Sequence, residues 1–259
     1  MLDHLIKKAK SYDFHSFQYD MPSNPILIKD YKNTILIGEE NGNRVKCFWG
    51  TNKVEHLVEV SNQVNSEIEC KELLLEFIPE EFVETLQKSG FQIISEWIDF
   101  WVKDISKVNL ESPIVCDIRK IKKDEIEIVS KITQSCTGIS REFYGEDVAT
   151  IQKWWLDDDI EMFVALKKQQ IVGVCVMAVY DSNKGKVAWV RELAVRPEHQ
   201  HQRIGQSLLI TGLKWGMNQG ATLSFLATDK HNHHAINLYT RLGFENNGER
   251  GQINMTKSF

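Results

Sequence analysis

The sequence has few cysteines, and their spacing forms no recognisable pattern. The five are an odd number, scattered along the chain without a Cys-x-x-Cys pair: Cys47, Cys70, Cys116, Cys136 and Cys175. A disulfide framework would need paired cysteines, so the pattern predicts free thiols in a reducing compartment.

Long hydrophobic runs are also missing. The longest, Ile171 to Tyr180, is shorter than the ~20 residues that a membrane-spanning helix needs. The first residues, MLDHLIKKAK, place no long apolar stretch after their charges, so we expect no signal peptide. With free thiols, this predicts a soluble cytoplasmic protein that has no membrane partner.

No charge of one sign dominates the chain. The formal net charge is −5 and there is no long basic run, so we expect no nucleic-acid partner. What is present is a hydrophobic content of 42%, enough for a packed core, in 259 residues. That length corresponds to one or two domains of roughly 100–200 residues each.

One stretch organises the second half of the chain. Val187 to Val195 is an apolar, β-branched strand, and Pro197 ends its pairing because proline has no N–H. From Ile204 onward the apolar residues recur at helical spacing. The N-terminus of that helix presents unpaired backbone N–H groups and the positive end of the helix dipole. The sequence therefore predicts a phosphate or pyrophosphate site at this loop.

The same stretch carries a family resemblance. Residues 193–209, LAVRPEHQHQRIGQSLL, resemble motif A of the GCN5-related N-acetyltransferase (GNAT) superfamily. The family pattern is a valine, five residues to Gln or Arg, then x-x-Gly-x-Gly/Ala. Val195, Gln200 and Gly205 match, whereas Arg203 stands where the first glycine is usual. Arg203 fits there sterically only with an ordinary φ, and its guanidinium is suited to pair with a CoA phosphate.

A second signature follows in the expected order. Residues 232–244, NHHAINLYTRLGF, resemble the family's Asn-x-x-Ala-x-x-Leu-Tyr-x-x-x-Gly-Phe. The resemblance covers about 114–259, and it implies a mixed α/β (α+β) fold with a mostly antiparallel sheet flanked by helices. It also implies acetyl-CoA as co-substrate, no metal, and acetyl transfer to a primary amine by direct attack in a ternary complex.

The patterns along the second half agree with that fold. They predict a linker at 103–113, then the order β-α-α-β-β-β-α-β-α-β starting with a strand at 114–121. Asp124 is positioned to cap the first helix. The last strand, at 252–255, is predicted to lie at an edge of the same sheet.

By resemblance, Leu193 and Val195 contact pantetheine and the acetyl carbonyl through backbone groups where their strand splays from its neighbour. An N–H exposed there can act as an oxyanion donor. Asn232 is expected to cap its helix and to touch CoA. The residues that we predict to bind acetyl-CoA are Leu193, Ala194, Val195, Gln200, His201, Gln202, Arg203, Ile204, Gly205, Gln206, Ser207, Asn232, Ala235 and Tyr239.

Two residues are predicted to be catalytic. The resemblance makes Tyr239 the general acid for the leaving thiolate, and a phenol of pKa about 10 suits that task. Glu192 is our candidate for the base, directly or through water, although strand alternation points it away from Arg191 and Trp189 unless a bulge redirects it. A structural salt bridge is the alternative role for Glu192. If Arg191 faces the acceptor instead, it favours an anionic substrate.

The first half, residues 1–108, is predicted to be a degenerate, non-catalytic copy of the same fold. Residues 86–91, LQKSGF, echo residues 239–244, YTRLGF, and in both halves an apolar strand, a short helix, Gly-Phe and a terminal strand occur in that order. A chance helix followed by Gly-Phe is the alternative. Leu86 replaces Tyr239, and no glycine lies between Gly50 and Gly90, so the copy lacks a phosphate loop. We expect it to pack or to contribute to the acceptor site.

Other functions stay open from the sequence. A non-catalytic acyl-CoA-binding or regulatory module is one, and a protein N-acetyltransferase is another; a homodimer is compatible with either. Trp154, Trp155 and the acidic run 157–159 suit a cationic amine, but packing and solvation explain them better. For the histidines at 231, 233 and 234 we favour a solvated or near-CoA position over a metal site, and for those at 199 and 201 we favour the surface of their loop.

Overall fold

The computed structural model describes residues 2–18, 22, 24–68, 70–248 and 250–259. The helices are α1 Leu2–Ala9, α2 Val54–Glu67, α3 Glu80–Lys88, α4 Ile126–Gln134, α5 Val148–Trp155, α6 Ile204–Asn218 and α7 His233–Arg241. The strands are β1 Phe14–His15, β2 Ile26–Tyr31, β3 Thr34–Asn41, β4 Arg44–Thr51, β5 Glu72–Leu75, β6 Gln92–Val102, β7 Asp117–Lys120, β8 Ile160–Lys167, β9 Gln170–Ser182, β10 Gly185–Val195, β11 Leu223–Asp229, β12 Glu245–Asn246 and β13 Ile253–Ser258. None of the helices in these ranges is both long and apolar enough to cross a membrane.

The chain folds into two compact units, Met1–Trp97 together with Arg250–Phe259, and Ile98–Glu249. The predicted boundary between residues 108 and 114 lies inside the second unit. Ile105 and Val108 explain this, because both are buried in the core of that unit. The segment predicted to be a linker is therefore packed structure.

In the first unit the strand order is β2-β3-β4-β5-β13-β6. The β4–β5 pair is parallel and is joined by α2, and the other consecutive pairs are antiparallel. The prediction that the last strand lies at an edge is wrong, because β13 pairs with β5 on one side and with β6 on the other. Its apolar residues Ile253 and Met255 are buried in the core of this unit, which fixes the strand in the interior.

In the second unit the order is β6-β11-β10-β9-β8-β7, with β10 and β11 parallel and joined by α6. Successive side chains of β9 point to opposite faces of the sheet. Cys175 and Met177 lie in the core with α6, whereas Val174 and Val176 lie in the core with α4 and α5. Helices thus cover both faces of a mostly antiparallel sheet, which confirms the predicted fold class.

The starts of α4 and α5 show how the loop between these helices is held. Asp147 caps α5, since its side chain accepts a hydrogen bond from the Thr150 N–H at 2.7 Å. The predicted cap of α4 by Asp124 is wrong, because a short 3₁₀ turn precedes the helix. The carboxylate that organises that turn is Glu125, which pairs with Arg119 at 2.6 Å.

The local repeat predicted from the sequence is present in the structure. In each unit a parallel strand–helix–strand (β4-α2-β5 and β10-α6-β11) precedes a helix that ends in a left-handed glycine, Gly90 (φ +95°) or Gly243 (φ +90°). The phenylalanine that follows donates its N–H to the same carbonyl position: Phe91 to Leu86 and Phe244 to Tyr239, each at 3.0 Å. The two helix ends are therefore built alike.

Candidate active site

The strands β10 and β11 pair only at their beginnings. The paired residues run from Val187 with Leu223 to Trp189 with Phe225, although the strands continue to Val195 and Asp229. Along the rest of β10, the peptide groups that face β11 have no partner in that strand. This is the splay that the resemblance implies, and it is where a carbonyl oxygen can meet a backbone N–H.

A β-bulge at Arg191 changes the direction of the side chains on β10. Val190 pairs with Met177 and Glu192 pairs with Val176, so Arg191 is the extra residue. Because Val176 lies in the core with α4 and α5, Glu192 is directed to that face of the sheet. The bulge thus removes the objection that simple alternation raised against Glu192.

The Glu192 carboxyl is held at the splay. Its Oε1 accepts a hydrogen bond from the Leu193 N–H at 2.9 Å. Burial and, to a smaller extent, the charge of Glu146 raise the pKa of Glu192 to about 8, although the Leu193 N–H opposes the shift. A carboxyl of such pKa exchanges protons near neutral pH, which suits a general base. In this arrangement the Leu193 N–H donates to Glu192, so it is not available to stabilise an oxyanion.

Tyr239 lies on α7, with only 7% of the residue exposed. Its ring packs against Phe100 and Phe244, with 6.1 Å between ring centroids in each case. Burial, followed by the charge of Glu192, raises the pKa of Tyr239 well above its ordinary value. The phenol therefore stays protonated at neutral pH and can donate a proton. The predicted cap of α7 is confirmed, since the Asn232 side chain accepts from the Ala235 N–H at 3.2 Å.

The loop between β10 and α6 has an unusual backbone. His201 (φ +60°) and Arg203 (φ +61°) adopt the left-handed conformation, which glycine adopts more readily than other residues. The prediction of an ordinary φ at Arg203 is thus wrong, because Arg203 adopts a left-handed conformation. No described residue accepts a hydrogen bond from the backbone N–H groups of residues 201–206. These groups fit an anion at the start of α6.

A cavity of about 440 Å³ lies against this loop and α7. The predicted cofactor-binding residues that line it are Leu193, Val195, Gln200, His201, Arg203, Ile204, Gly205, Gln206, Asn232, Ala235 and Tyr239. Glu192 does not line it. Gln200 also steadies the loop, because its Nε2 donates to the Val195 carbonyl at 2.9 Å. The structure thus gathers most of the predicted donor site around one opening.

The other three predicted residues do not line the cavity. Ala194 is buried in the core with α4 and α5. The Ser207 side chain is also buried, and its hydroxyl accepts from the Val115 N–H at 3.2 Å. The Gln202 amide contacts Lys167. The side chains of these residues support the loop and the helix.

Several residues of the cavity were not among those predicted. They are Ile139, His199, His234, Asn237, Leu238 and Arg241. Those on α7 recur at intervals of three, four and seven from His234, which is the spacing of one helix face. Of these residues, only Leu238 lies at helical spacing from the predicted Ala235. His199 is predicted to lie on the surface of its loop, yet its Nδ1 is buried without a partner among the described residues.

The loop between α4 and α5 is tied to the end of β11. Arg141 makes a two-pronged ion pair with Asp229, with Nε to Oδ1 at 3.0 Å and Nη2 to Oδ2 at 2.8 Å. The Asp229 side chain is 1% exposed. The ion pair therefore anchors the covering loop beside the splay. Trp154 is buried in the core with α4 and α5, which confirms packing as its role.

Histidines cluster near the cavity without forming a metal site. The rings of His201 and His234 meet edge to face, with centroids 4.9 Å apart, and those of His231 and His233 are 6.4 Å apart. Within the ranges that the structure describes, no group of three or more His, Cys, Asp or Glu side chains is placed to hold a metal ion.

Comparison with known proteins identifies the second half. Residues 126–244 match the model of the acetyltransferase (GNAT) family. The C-terminal half carries a GNAT domain. N-acetyltransferase 8F1 of Rattus norvegicus is 33% identical to this chain over 106 residues, which are 40% of this chain and 48% of that protein. The chain spans about half the length of the curated relatives it matches.

Solved GNAT structures resemble more of the chain. A GCN5-related N-acetyltransferase from Sphaerobacter thermophilus has a TM-score of 0.61 at 12% identity, covering 87% of this chain and 76% of its own. A tandem GNAT protein from the clavulanic acid biosynthesis pathway has a TM-score of 0.60 at 11% identity, covering 87% and 78%. At these identities the likeness shows the fold, and it is consistent with two GNAT-like halves.

Proposed function

We propose that this chain is an acetyl-CoA-dependent N-acetyltransferase whose second unit transfers acetyl to the primary amine of a small molecule or peptide. The observation that carries the proposal is the parting of β10 from β11 with Glu192 on the parted strand. The charge of Glu192 acts on Tyr239, so the proposed base and acid share one electrostatic environment. That environment is what acyl transfer between a thioester and an amine requires.

In this proposal the chain holds acetyl-CoA chiefly through its phosphates. The unpaired N–H groups of residues 201–206 hold the pyrophosphate at the positive end of α6. Gly205 lines the cavity, so its missing side chain lets the pyrophosphate approach the backbone closely. The Arg203 guanidinium adds a positive charge at the same opening. The pantetheine arm then lies along the cavity toward Leu193 and Tyr239.

The reaction itself is a direct displacement. The amine nitrogen bonds to the acetyl carbonyl carbon while Glu192 takes the proton that the nitrogen loses. The carbon–sulfur bond then breaks, and Tyr239 gives its phenolic proton to the departing thiolate. A backbone N–H of the parted strand stabilises the carbonyl oxygen as its charge grows. The Leu193 N–H becomes available for this once Glu192 turns toward the amine.

The first unit is non-catalytic in this proposal. Only Asn52 and Lys53 separate β4 from α2, so there is no loop comparable to residues 196–203. A side chain at Gly50 would come within 2.4 Å of the Ala9 carbonyl oxygen, which shows that α1 closes the end of β4. Leu86 stands where Tyr239 stands in the second unit. This unit therefore offers neither a phosphate loop nor a proton donor at the matching place.

A non-catalytic acyl-CoA-binding module is the second candidate. It is favoured by the hydrogen bond from the Leu193 N–H to Glu192, which occupies an expected oxyanion donor. In that reading the same cavity binds the thioester, and no acetyl group is transferred.

Release of free CoA from acetyl-CoA separates the two candidates. Wild type and Tyr239→Phe are assayed with a panel of small amines, amino acids and peptides. The enzyme reading expects acceptor-dependent release, intersecting lines in double-reciprocal plots, and a kcat about 10²-fold lower in the variant. Tight binding of acetyl-CoA with no release on any acceptor would support the binding module. A peptide-only acceptor range would identify a protein N-acetyltransferase.

A further inference from the structure

Arg191 is the extra residue of the β-bulge and has no pairing partner in β9. It directly precedes the proposed base, Glu192, in the sequence. Its guanidinium carbon is 4.3 Å from the ring centroid of Trp189 and 5.1 Å from that of Trp154. Two indole faces thus hold the cation in a fixed plane. A guanidinium fixed in this way presents its N–H groups in the geometry that carboxylates and phosphates accept.

The guanidinium lacks the partner that such a position normally requires. Its Nε is buried, and no described residue accepts a hydrogen bond from it. Glu146 and Asp157 act on Arg191 only through space, and no ion pair among the described residues includes it. Burial lowers the pKa of Arg191, but a guanidinium remains charged at neutral pH. Arg191 as a whole is half-buried, but a buried N–H such as its Nε is costly to leave unpaired, so the arrangement points to an anion supplied from outside the chain.

The position relative to the reaction supports an acceptor as the source of that anion. Arg191 and Leu193 are two residues apart on an extended strand, which is roughly 7 Å. Arg191 is not among the residues that line the donor cavity. Beyond Trp189 the same face continues with partly exposed rings, with Phe225 at 6.2 Å from Trp189 and Trp101 at 4.7 Å from Phe225. These rings begin at Trp189, which Arg191 contacts, so they offer a surface on which the rest of an acceptor can pack.

We propose that Arg191 binds an oxyanion of the acceptor, so that the substrates are small primary amines with a carboxylate or phosphate a few bonds from the nitrogen. The inference rests on the proposed acetyltransferase function and narrows its substrate class. Arg191 acts as a specificity residue: it positions the amine beside Glu192 and takes no part in proton transfer.

The test compares amines that differ only in the anionic group. β-Alanine is paired with β-alaninamide and O-phosphoethanolamine with ethanolamine, and CoA release gives kcat/KM for wild type, Arg191→Gln and Arg191→Lys. Wild type should prefer the anionic member of at least one pair by about 10- to 100-fold. Arg191→Gln should abolish that preference through the acceptor KM, leaving the neutral amines and the KM of acetyl-CoA unchanged. Arg191→Lys should keep part of it, because it retains the charge without the planar donors.

Lys186→Gln is the matched control, because it removes the same charge from the beginning of the same strand; it should keep the wild-type preference. Turnover without a preference for anionic amines, or a preference that survives in Arg191→Gln, overturns the inference and leaves the proposed function standing. An equal loss with every amine shows that Arg191 is structural and also overturns it. No turnover with any amine overturns the proposed function and this inference together. Should Arg191→Gln fail to fold, an Arg191→Lys variant with the full wild-type preference refutes the role.

Discussion

Gly205 offers a substitution whose effects on stability and on donor binding should go in opposite directions. A Cβ built on Gly205 would lie 3.6 Å from Leu238 Cδ2 and 3.8 Å from Val195 Cγ2, which is ordinary van der Waals contact. Its φ is not in the left-handed region, so alanine fits the backbone. Since alanine favours a helix by up to about 1 kcal/mol over glycine, Gly205→Ala should leave stability unchanged or slightly raised.

The same methyl group enters the space that we assign to the pyrophosphate. Displacing the phosphates from one or two N–H groups loses charge-assisted hydrogen bonds worth about 1.5–3 kcal/mol each. Gly205→Ala should therefore bind acetyl-CoA about 10- to 100-fold more weakly. Isothermal titration calorimetry measures the Kd, and urea denaturation without ligand measures the free energy of unfolding.

Gly212 in the same helix provides the control. A Cβ there would approach Met177 Cγ to 2.6 Å and Sδ to 2.8 Å, so Gly212→Ala overpacks the core. It should lower the free energy of unfolding by about 1–3 kcal/mol and leave the Kd of the folded protein unchanged. An unchanged affinity in Gly205→Ala would refute our assignment of the pyrophosphate to the start of α6.

Further predictions at three residues concern charge and strain. Glu192→Gln should lower kcat/KM by about 10²–10⁴-fold, and with a weakly basic amine it should remove the rise in rate that wild type shows as pH approaches about 8. Folding raises the pKa of Glu192 from 4.5 to about 8, so between these pH values the folded state binds a proton that the unfolded state has lost. The free energy of unfolding of wild type should therefore fall as pH rises from 4.5 to about 8, and in Glu192→Gln it should fall less. Arg203→Gly should be about 1 kcal/mol more stable than Arg203→Ala in urea denaturation, because only alanine keeps the left-handed strain. Arg141→Ala should lower the free energy of unfolding by about 3 kcal/mol, since it removes the two-pronged partner of the buried Asp229 carboxylate.

The predictions for Glu192 and Arg203 each have an outcome that contradicts them, and the prediction for Arg141 has a matched control. A pH–rate profile that is identical in Glu192→Gln and wild type would exclude Glu192 as the base. Equal stabilities of the two Arg203 variants would show that the loop relaxes away from the left-handed conformation. Lys88→Ala controls for Arg141→Ala: its ion pair with Glu84 is exposed, so its loss should change stability by well under 1 kcal/mol.

Much of the second unit could be predicted because its signals are local. The strand–loop–helix at Val187–Met217, the cap at Asn232 and the turn at Gly243 each depend on residues close in sequence. The edge placement of β13 failed for the opposite reason: its partners, β5 and β6, lie far away in the sequence. Its polar residues, such as Asn254 and Thr256, look like those of an exposed strand, but both are buried and hydrogen-bonded.

The bulge at Arg191 limited what could be predicted about the site. Alternation along β10 is a reliable guide only while every residue pairs, and one extra residue reverses it for all that follow. Nothing in the residues from Trp189 to Leu193 marks the bulge, so the direction of Glu192 was left open. The left-handed φ of Arg203 was equally hidden, because a non-glycine residue gives no sign of that conformation.

The central claim is that acetyl-CoA enters the splay between β10 and β11 with its phosphates on the α6 loop. A crystal structure with a non-reactive thioether analogue of acetyl-CoA tests this most directly. We expect the pyrophosphate on the N–H groups of residues 201–206, the sulfur beside Tyr239 and the acyl carbonyl at Leu193. An analogue bound elsewhere, or phosphates on this loop with the acyl arm outside the splay, would contradict it.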